Sequence, residues 1–153
     1  MRIFLKILST IFGGFINNKE KKTEISPKEN ITRYIFNKKK GYSEVKECVK
    51  HGAYMPAPDG NASVYRTSEI TEQGIWDLGV EYVEKKRKDG KKIKARADII
   101  AAEIYEQELS IVPDTTPHEL HANISNWPEE KDKKLMKAVE LANAAQLRIK
   151  KEQ

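Results

Sequence analysis

The sequence predicts an α+β domain with a small mixed sheet of short strands, about three packed helices and an N-terminal amphipathic helix before them. Short β-branched and aromatic stretches alternate along the chain with segments whose apolar residues recur at helical spacing. At 153 residues the chain has the length of one domain. Its hydrophobic fraction of 39% is below the globular average, and its charged fraction of 33% is above it. We therefore expect part of the chain to be solvated surface or linker.

Strands are predicted where short runs of β-branched and aromatic residues are bounded by turn-forming residues. These runs are 32–36, 63–66, 109–112 and 121–124. The segment 53–61 contains prolines and an Asp-Gly pair, so we expect a loop there.

Three helices are predicted from their N-terminal residues. The first is capped by Ser68 or Thr71, and the second is capped by Asp98 and covers 99–108. Pro128 suits the first turn of the third helix, which closes the fold and runs to about Lys150. Short strands interleaved with these helices predict the α+β class.

The N-terminal segment 1–16 is apolar and amphipathic. At helical spacing Arg2 and Lys6 fall on a polar arc, and apolar residues fill the rest. Such a helix rises about 24 Å, which is less than the hydrocarbon core of about 30 Å. Three interpretations compete: an interfacial membrane helix, a signal peptide, and a helix docked on this protein or a partner. Residues 17–30 are polar and predict a flexible linker, so a single α+β domain is expected over 31–153.

Location and assembly are predicted from charge and cysteine usage. The single cysteine, Cys48, excludes an internal disulfide and favours a reducing compartment. We expect a cytoplasmic protein, with peripheral attachment to an anionic surface at the inner face of the membrane through residues 1–22 as a further interpretation. No cofactor is predicted. The oligomeric state is left open, because blocks of opposite charge permit self-association.

Five stretches, in their order and spacing, resemble a group of small uncharacterised bacterial proteins. They are RYIF at 33–36, SVYR at 63–66, IWDLG at 75–79, ARADI at 95–99, and HANI at 121–124 followed by Trp127, Pro128 and Lys131. The resemblance covers about residues 31–145, and segment 1–16 lies outside it. It implies membership of a family and no particular activity, cofactor or fold.

One candidate ligand-binding set lies within these stretches and consists of Arg33, Arg66, Arg96, His121 and Asn123. If the strands are neighbours, the arginines can converge on a phosphate group, with His121 as proton donor or acceptor and candidate catalytic residue. The alternative is structural: Arg66 and Arg96 pair with Asp77 or Asp98, and His121 is a hydrogen-bonded structural histidine.

A second candidate is the basic stretch within 85–96. Its basic patch comprises Lys85, Lys86, Arg87, Lys88, Lys91, Lys92 and Lys94. These side chains suit salt-sensitive binding to nucleic acid or anionic lipid. Aromatic residues are not interleaved with them, which argues against sequence-specific reading of single strands. The alternative is a solvated turn.

Two pairs with the same spacing form a weak metal candidate. Cys48 with His51, and His118 with His121, include the single cysteine and every histidine. Together they provide the donors of a tetrahedral zinc site, although coincidence explains the spacing as well. The resemblance implies a histidine only at 121, so no metal is predicted.

Two functions from different classes follow. The first is a binding module for a phosphate-bearing or protein partner, with nucleic acid, a phosphate ligand or a membrane surface as the anionic partner. The second is an enzyme acting on a nucleotide or other phosphate-bearing substrate with Arg66, Arg96 and His121. The sequence contains no glycine-rich phosphate loop, nucleophile elbow, metalloprotease helix or kinase signature, so the common enzyme templates find no support.

Overall fold

The computed structural model describes residues 25–151. Its elements, in chain order, are β1 (Asn30–Ile35), α1 (Lys38–Gly41), β2 (Tyr42–Ser43), β3 (Cys48–Val49), a 3₁₀ turn (His51–Ala53), β4 (Ala62–Arg66), α2 (Glu72–Gly79) with a π-helical extension (Val80–Glu84), β5 (Ala95–Ile100), α3 (Ala101–Glu106), β6 (Ser110–Pro113), β7 (His121–Ser125), α4 (Lys131–Ala144) and β8 (Gln146–Ile149). The predicted α+β class is confirmed.

Six strands form one sheet in the order β6-β7-β4-β1-β5-β8, and β2 and β3 form a separate two-stranded hairpin. Each strand pair of the large sheet is antiparallel, whereas the sequence predicted a mixed sheet. Because side chains alternate across a strand, residues paired in register lie on the same face and their sequence neighbours lie on the other. This alternation decides which candidate residues can meet.

One face of the sheet, here called the core face, packs against α3 and α4. Ile31, Val64 and Ala97 from the sheet are buried there with Ile104 of α3 and Leu141 of α4. Buried apolar side chains of this kind provide most of the stabilising free energy of a small domain.

The opposite face, here called the α2 face, is covered only in part. Tyr34 and Tyr65 of the sheet are buried against Ile75 and Leu78 of α2. Helix α2 begins at Thr71, whose hydroxyl accepts a hydrogen bond from the amide of residue 74 at 3.0 Å. Thr71, and not Ser68, is therefore the cap. Helix α2 does not cover the part of this face that is formed by β4, β7 and β6.

Two predicted helix boundaries are wrong. Asp98 lies inside β5 and pairs across the sheet with Thr32, so it does not cap a helix. The closing helix ends at Ala144, after which residue 145 adopts an extended conformation and the chain forms the edge strand β8. The alternation of polar and apolar residues over 146–149 fits an edge strand better than another helical turn.

The folded region starts inside the segment that was predicted as a linker. The side chain of Ile25 is 1% exposed, and its carbonyl accepts a hydrogen bond from the Tyr105 hydroxyl at 2.7 Å. The predicted amphipathic helix 1–16 and the membrane-binding segment 1–22 lie outside the described residues. Within residues 25–151, no helix has both the length and the apolar character needed to cross a membrane.

Candidate functional site

Arg33 and Arg66, two of the predicted anion-binding arginines, lie on the core face. The Nε of Arg33 donates to the carbonyl of residue 53 and its NH1 donates to the carbonyl of Ser63, both at 2.8 Å. Arg66 forms a two-pronged ion pair with Glu29, with nitrogen–oxygen distances of 2.8 and 3.0 Å. Burial lowers the pKa of Arg33. Both guanidinium groups already have acceptors from the protein.

Arg96 lies on the α2 face, paired in register with Tyr34. Its side chain is 1% exposed, and its NH2 nitrogen lies 2.7 Å from Glu72 and 3.1 Å from Asp98. The guanidinium carbon also lies 4.6 Å from the ring centre of Trp76, which is a cation–π distance. Burial acts to lower the pKa of Arg96, but hydrogen bonds to the two carboxylates outweigh it and raise the pKa. The contacts of Arg96 with these two carboxylates are those of a structural ion pair.

The predicted anion clamp therefore does not form. Arg66 pairs with Ile31 in register, while its neighbour Tyr65 pairs with His121, so Arg66 and His121 lie on opposite faces. Arg96 shares a face with His121 but lies on the other side of the central strand β1. The structural alternative describes both arginines better. Arg96 contacts Asp98, as that alternative expected, whereas Glu29, the partner of Arg66, and Glu72, the second partner of Arg96, were not predicted.

His121 forms a small polar cluster that the sequence did not predict. Its Nε2 lies 2.6 Å from the hydroxyl of Ser63, and its Nδ1 lies 2.8 Å from the carbonyl oxygen of Asp114. The carboxylate of Asp114 lies 3.8 Å from Nδ1 and accepts a hydrogen bond from Asn123 at 3.3 Å. Strand register explains the cluster, because Ser63 pairs with Asn123 on adjacent strands. That register becomes visible only when β4 and β7 are known to be neighbours.

This cluster lies on the open part of the α2 face, formed by β4, β7 and β6. The side chains on this surface, here called the open half-face, are exposed or half-buried apart from His121. By register they are Asn61, Ser63, Ser110, Val112, His121, Asn123 and Ser125. The surface bears hydroxyl and amide groups and one exposed apolar side chain.

The candidate metal ligands are not brought together. Cys48 is exposed on the β2–β3 hairpin, and His51 begins the following 3₁₀ turn. The ring of His118 instead lies edge-on to the ring of Tyr82, with centres 4.5 Å apart. Across residues 25–151, no three His, Cys, Asp or Glu side chains are grouped in a way that can hold a metal ion.

The basic stretch 85–94 lies at one end of the sheet, together with other lysine-rich segments. Strand β1 ends there, β5 begins there and β8 ends there, as the register between them requires. The backbone amide of Lys94 donates to the carbonyl of Ile35, and that of Lys150 donates to the carbonyl of Lys94, each at 2.9 Å. The guanidinium of Arg87 stacks on the ring of Phe36 at 4.1 Å. Segments distant in sequence are thus joined at this end.

We call this surface the basic end, and its side chains fall into two groups. Four form ion pairs with nearby carboxylates: Lys38 with Glu44, Lys85 with Glu81, Arg87 with Asp89, and Lys92 with Glu84. The other lysines make no ion pair with any residue in 25–151; they are Lys39, Lys40, Lys50, Lys86, Lys88, Lys91, Lys94, Lys150 and Lys151. The second group provides the positive charge that remains available to a partner.

A groove forms part of the basic end. It encloses about 540 Å³ between α1 and the β2–β3 hairpin, and its lining includes Lys38, Lys39 and Lys50. The ammonium group of Lys50 donates to the carbonyl of Lys39 at 2.9 Å, which brings these two lysines together. The opposite end of the sheet is acidic, with Glu29, Glu69, Glu103, Asp114 and Glu119 near the strand ends there. At the basic end positive charge is concentrated where β1 ends, β5 begins and β8 ends, whereas Asp59 and Glu108 precede the starts of β4 and β6 there.

The chain matches no protein-family model, and neither a curated protein nor a solved structure is significantly similar to it.

Proposed function

We propose that this domain is a binding module that engages a phosphate-bearing partner through its basic end. The proposal rests on one observation: lysines from α1, the 85–94 loop and the end of β8 meet at one end of the sheet. A flexible ammonium group is a common contact for phosphate oxygens. Lysines gathered from separate segments into one surface provide several such contacts at once.

The polarity of the domain supports the same proposal. An acidic end opposite a basic end orients the protein in the electric field of a polyanion, so that the basic end faces the polyanion when the two meet. At this end the guanidinium of Arg87 is stacked on the ring of Phe36, and Tyr42, which lines the groove, is buried, so neither ring is presented freely for base stacking. We therefore expect contacts to the phosphate backbone or to lipid headgroups, without selection of base sequence.

Membrane attachment is the further part of this proposal. The apolar segment 1–16 gives one attachment and the basic end gives a second, and stable binding to a membrane surface generally needs two such signals. The cytoplasmic location proposed for the protein is compatible with either a nucleic acid or the inner leaflet as partner.

Salt-dependent binding tests the proposal. We expect a fluorescein-labelled DNA duplex of about 20 base pairs, and vesicles containing phosphatidylserine, to retain the protein less strongly as salt rises from about 50 to about 200 mM. The double substitution Lys91→Gln/Lys94→Gln removes two unpaired charges and should reduce the slope of log affinity against log salt by about 2. The substitution Lys28→Glu changes net charge by the same amount at the other end of the sheet and is the matched control.

The control separates a local site from overall charge. The proposal requires the double substitution to weaken binding clearly more than Lys28→Glu does. Equal effects of the two variants, or no salt-dependent retention on either probe, would contradict it.

A further inference from the structure

The hydrogen bonds of His121 determine which of its ring nitrogens carries the proton. The backbone carbonyl of Asp114 can only accept a hydrogen bond, and it lies 2.8 Å from Nδ1. In the neutral ring Nδ1 is therefore protonated and Nε2 has a free lone pair. The hydroxyl of Ser63, 2.6 Å from Nε2, must then be the donor. The hydroxyl proton of Ser63 thus points at a base.

The same contacts hold the pair in place while leaving the hydroxyl accessible. His121 is 6% exposed and packs edge-on against Tyr65, with ring centres 5.1 Å apart. Ser63 is exposed, on a strand paired in register with β7. A nucleophile needs this combination, because the base has to be fixed and the attacking oxygen has to reach the substrate.

Asn123 provides a hydrogen-bond donor beside the hydroxyl. It pairs with Ser63 in register on the same face of the sheet. One hydrogen of its side-chain amide is directed at the carboxylate of Asp114, with a nitrogen–oxygen distance of 3.3 Å. A side-chain amide carries two hydrogens, so one remains for an oxyanion that forms near Ser63.

The charge of the surroundings indicates the class of substrate. Around Ser63 the open half-face carries hydroxyls, amides and Val112, with the carboxylate of Asp114 beside Asn123 and no guanidinium or ammonium group among the residues in register. The arginines of β4 and of its neighbour β1 lie on the core face, where Arg66 pairs with Glu29 and Arg33 donates to backbone carbonyls. Such a surface suits an uncharged carboxylic ester better than a phosphate.

We propose that Ser63 is the nucleophile, and His121 the general base, of an acyl-transfer site for uncharged carboxylic esters. The Oγ of Ser63 bonds to the ester carbon as its proton passes to Nε2 of His121. The bond from that carbon to the alkoxide oxygen then breaks, and the leaving alkoxide takes the proton. Water next attacks the acyl-serine, gives a proton to Nε2 and releases the carboxylic acid, and the proton returns to Ser63. This site is separate from the basic end, and neither proposal depends on the other.

Covalent labelling tests the proposal directly. The full chain is incubated with a fluorophosphonate probe, which reacts with activated serines, and the modified residue is identified by peptide mass spectrometry. We expect one adduct, at Ser63, and its loss in Ser63→Ala. Because a general base contributes about 10²- to 10⁴-fold, His121→Gln should slow labelling by that factor. Hydrolysis of p-nitrophenyl acetate, with an initial burst from the acyl-serine, is the second readout.

Two controls make the result decisive. Ser125→Ala removes another hydroxyl of the open half-face, bonded to Asn61 at 2.7 Å, and should label like the unaltered protein. Circular dichroism of each variant checks its folding, because Ser63→Ala also removes the hydrogen bond of Ser63 to the buried ring of His121. A folded unaltered protein that stays unlabelled, an adduct at a different serine, or a folded His121→Gln variant that labels at the original rate would each overturn the proposal.

Discussion

Replacing Arg96 with methionine should destabilise the domain strongly, because it leaves a buried carboxylate without its main partner. Asp98 has an 11% exposed side chain and takes three contacts from Arg96, at 3.1, 3.2 and 3.3 Å. After the substitution Asp98 keeps the hydroxyl of Thr32 at 2.8 Å and a distant guanidinium, that of Arg148, at 4.0 Å. Removing one partner of a buried ion pair generally costs about 3–5 kcal/mol.

The remaining contacts of Arg96 change this value little. Glu72 is 67% exposed, so its ion pair with Arg96 adds about 0–1 kcal/mol. The NH1 of Arg96 is buried without a hydrogen-bond partner among the described residues, and that unfavourable burial disappears in the variant. We therefore expect the free energy of unfolding of Arg96→Met to fall by about 3–5 kcal/mol, and that of Glu72→Gln by about 1 kcal/mol or less.

Urea unfolding followed by circular dichroism measures these differences. The double variant Arg96→Met/Asp98→Leu removes both charges and should be more stable than the single Arg96→Met variant, because no unpaired carboxylate remains buried. A loss below about 1 kcal/mol for Arg96→Met would refute the reasoning, since a buried pair costs more than that to break. So would a double variant less stable than the single one.

The remaining predictions concern close packing and buried tyrosines. In Gly79→Ala the new Cβ would lie 2.5 Å from Tyr34 and 2.8 Å from Ile93, which is too close for an undisturbed core. We therefore expect the free energy of unfolding to fall by about 1–3 kcal/mol, measured by thermal unfolding. An unchanged melting temperature would contradict this close packing. The Tyr54 hydroxyl is buried with no hydrogen-bond partner in residues 25–151. The substitution Tyr54→Phe should therefore leave the free energy of unfolding at pH 7 unchanged or raise it by about 1 kcal/mol. A clear fall in the free energy of unfolding would reveal a partner. Burial raises the pKa of Tyr34 and Tyr54 in the folded state, so their contribution to stability is complete below about pH 10, the unfolded value, and falls as pH rises above it. Unfolding measured between about pH 9 and pH 11 should show this fall, with a smaller slope in Tyr54→Phe; equal slopes would exclude Tyr54 as a source.

Part of the fold could be predicted from local sequence signals. Strands β1, β4, β6 and β7 lie where β-branched and aromatic runs predicted them, and Thr71 was one of the two caps considered for α2. These signals are local, because strand propensity and capping depend on a few neighbouring residues. Cap and strand could therefore be recognised without knowledge of the partner elements.

Strand β5 was missed for a physical reason. It is central in the sheet, yet Arg96 and Asp98 alternate in it with Ala95 and Ala97, which have low strand propensity. The charged residues fit because they pair with each other on the α2 face, and the small alanines fit because helices pack closely on the core face. Neither reason can be read from a single segment, because both depend on tertiary contacts.

The candidate sites also depend on tertiary contacts that a single segment of sequence does not reveal. His121 and Asn123 were selected from the sequence, but the residues they contact, Ser63 and Asp114, were not, because strand register brings them together. The basic stretch 85–94 was recognised from composition, whereas its association with Lys39 and Lys150 follows from the antiparallel order of β1, β5 and β8. Composition identified charge, and topology determined where that charge is concentrated.

The most direct measurement of the central claim is to map the surface that contacts a phosphate-bearing partner. Isotope-labelled protein is titrated with a DNA duplex of about 20 base pairs at low salt, and amide chemical shifts are followed by NMR. The account predicts that the largest shift changes occur at 38–40, 86–94 and 150–151, and that they diminish when salt is added. Shift changes concentrated at the acidic end or on the open half-face would contradict it, and so would the absence of changes at low salt together with no retention on phosphatidylserine vesicles.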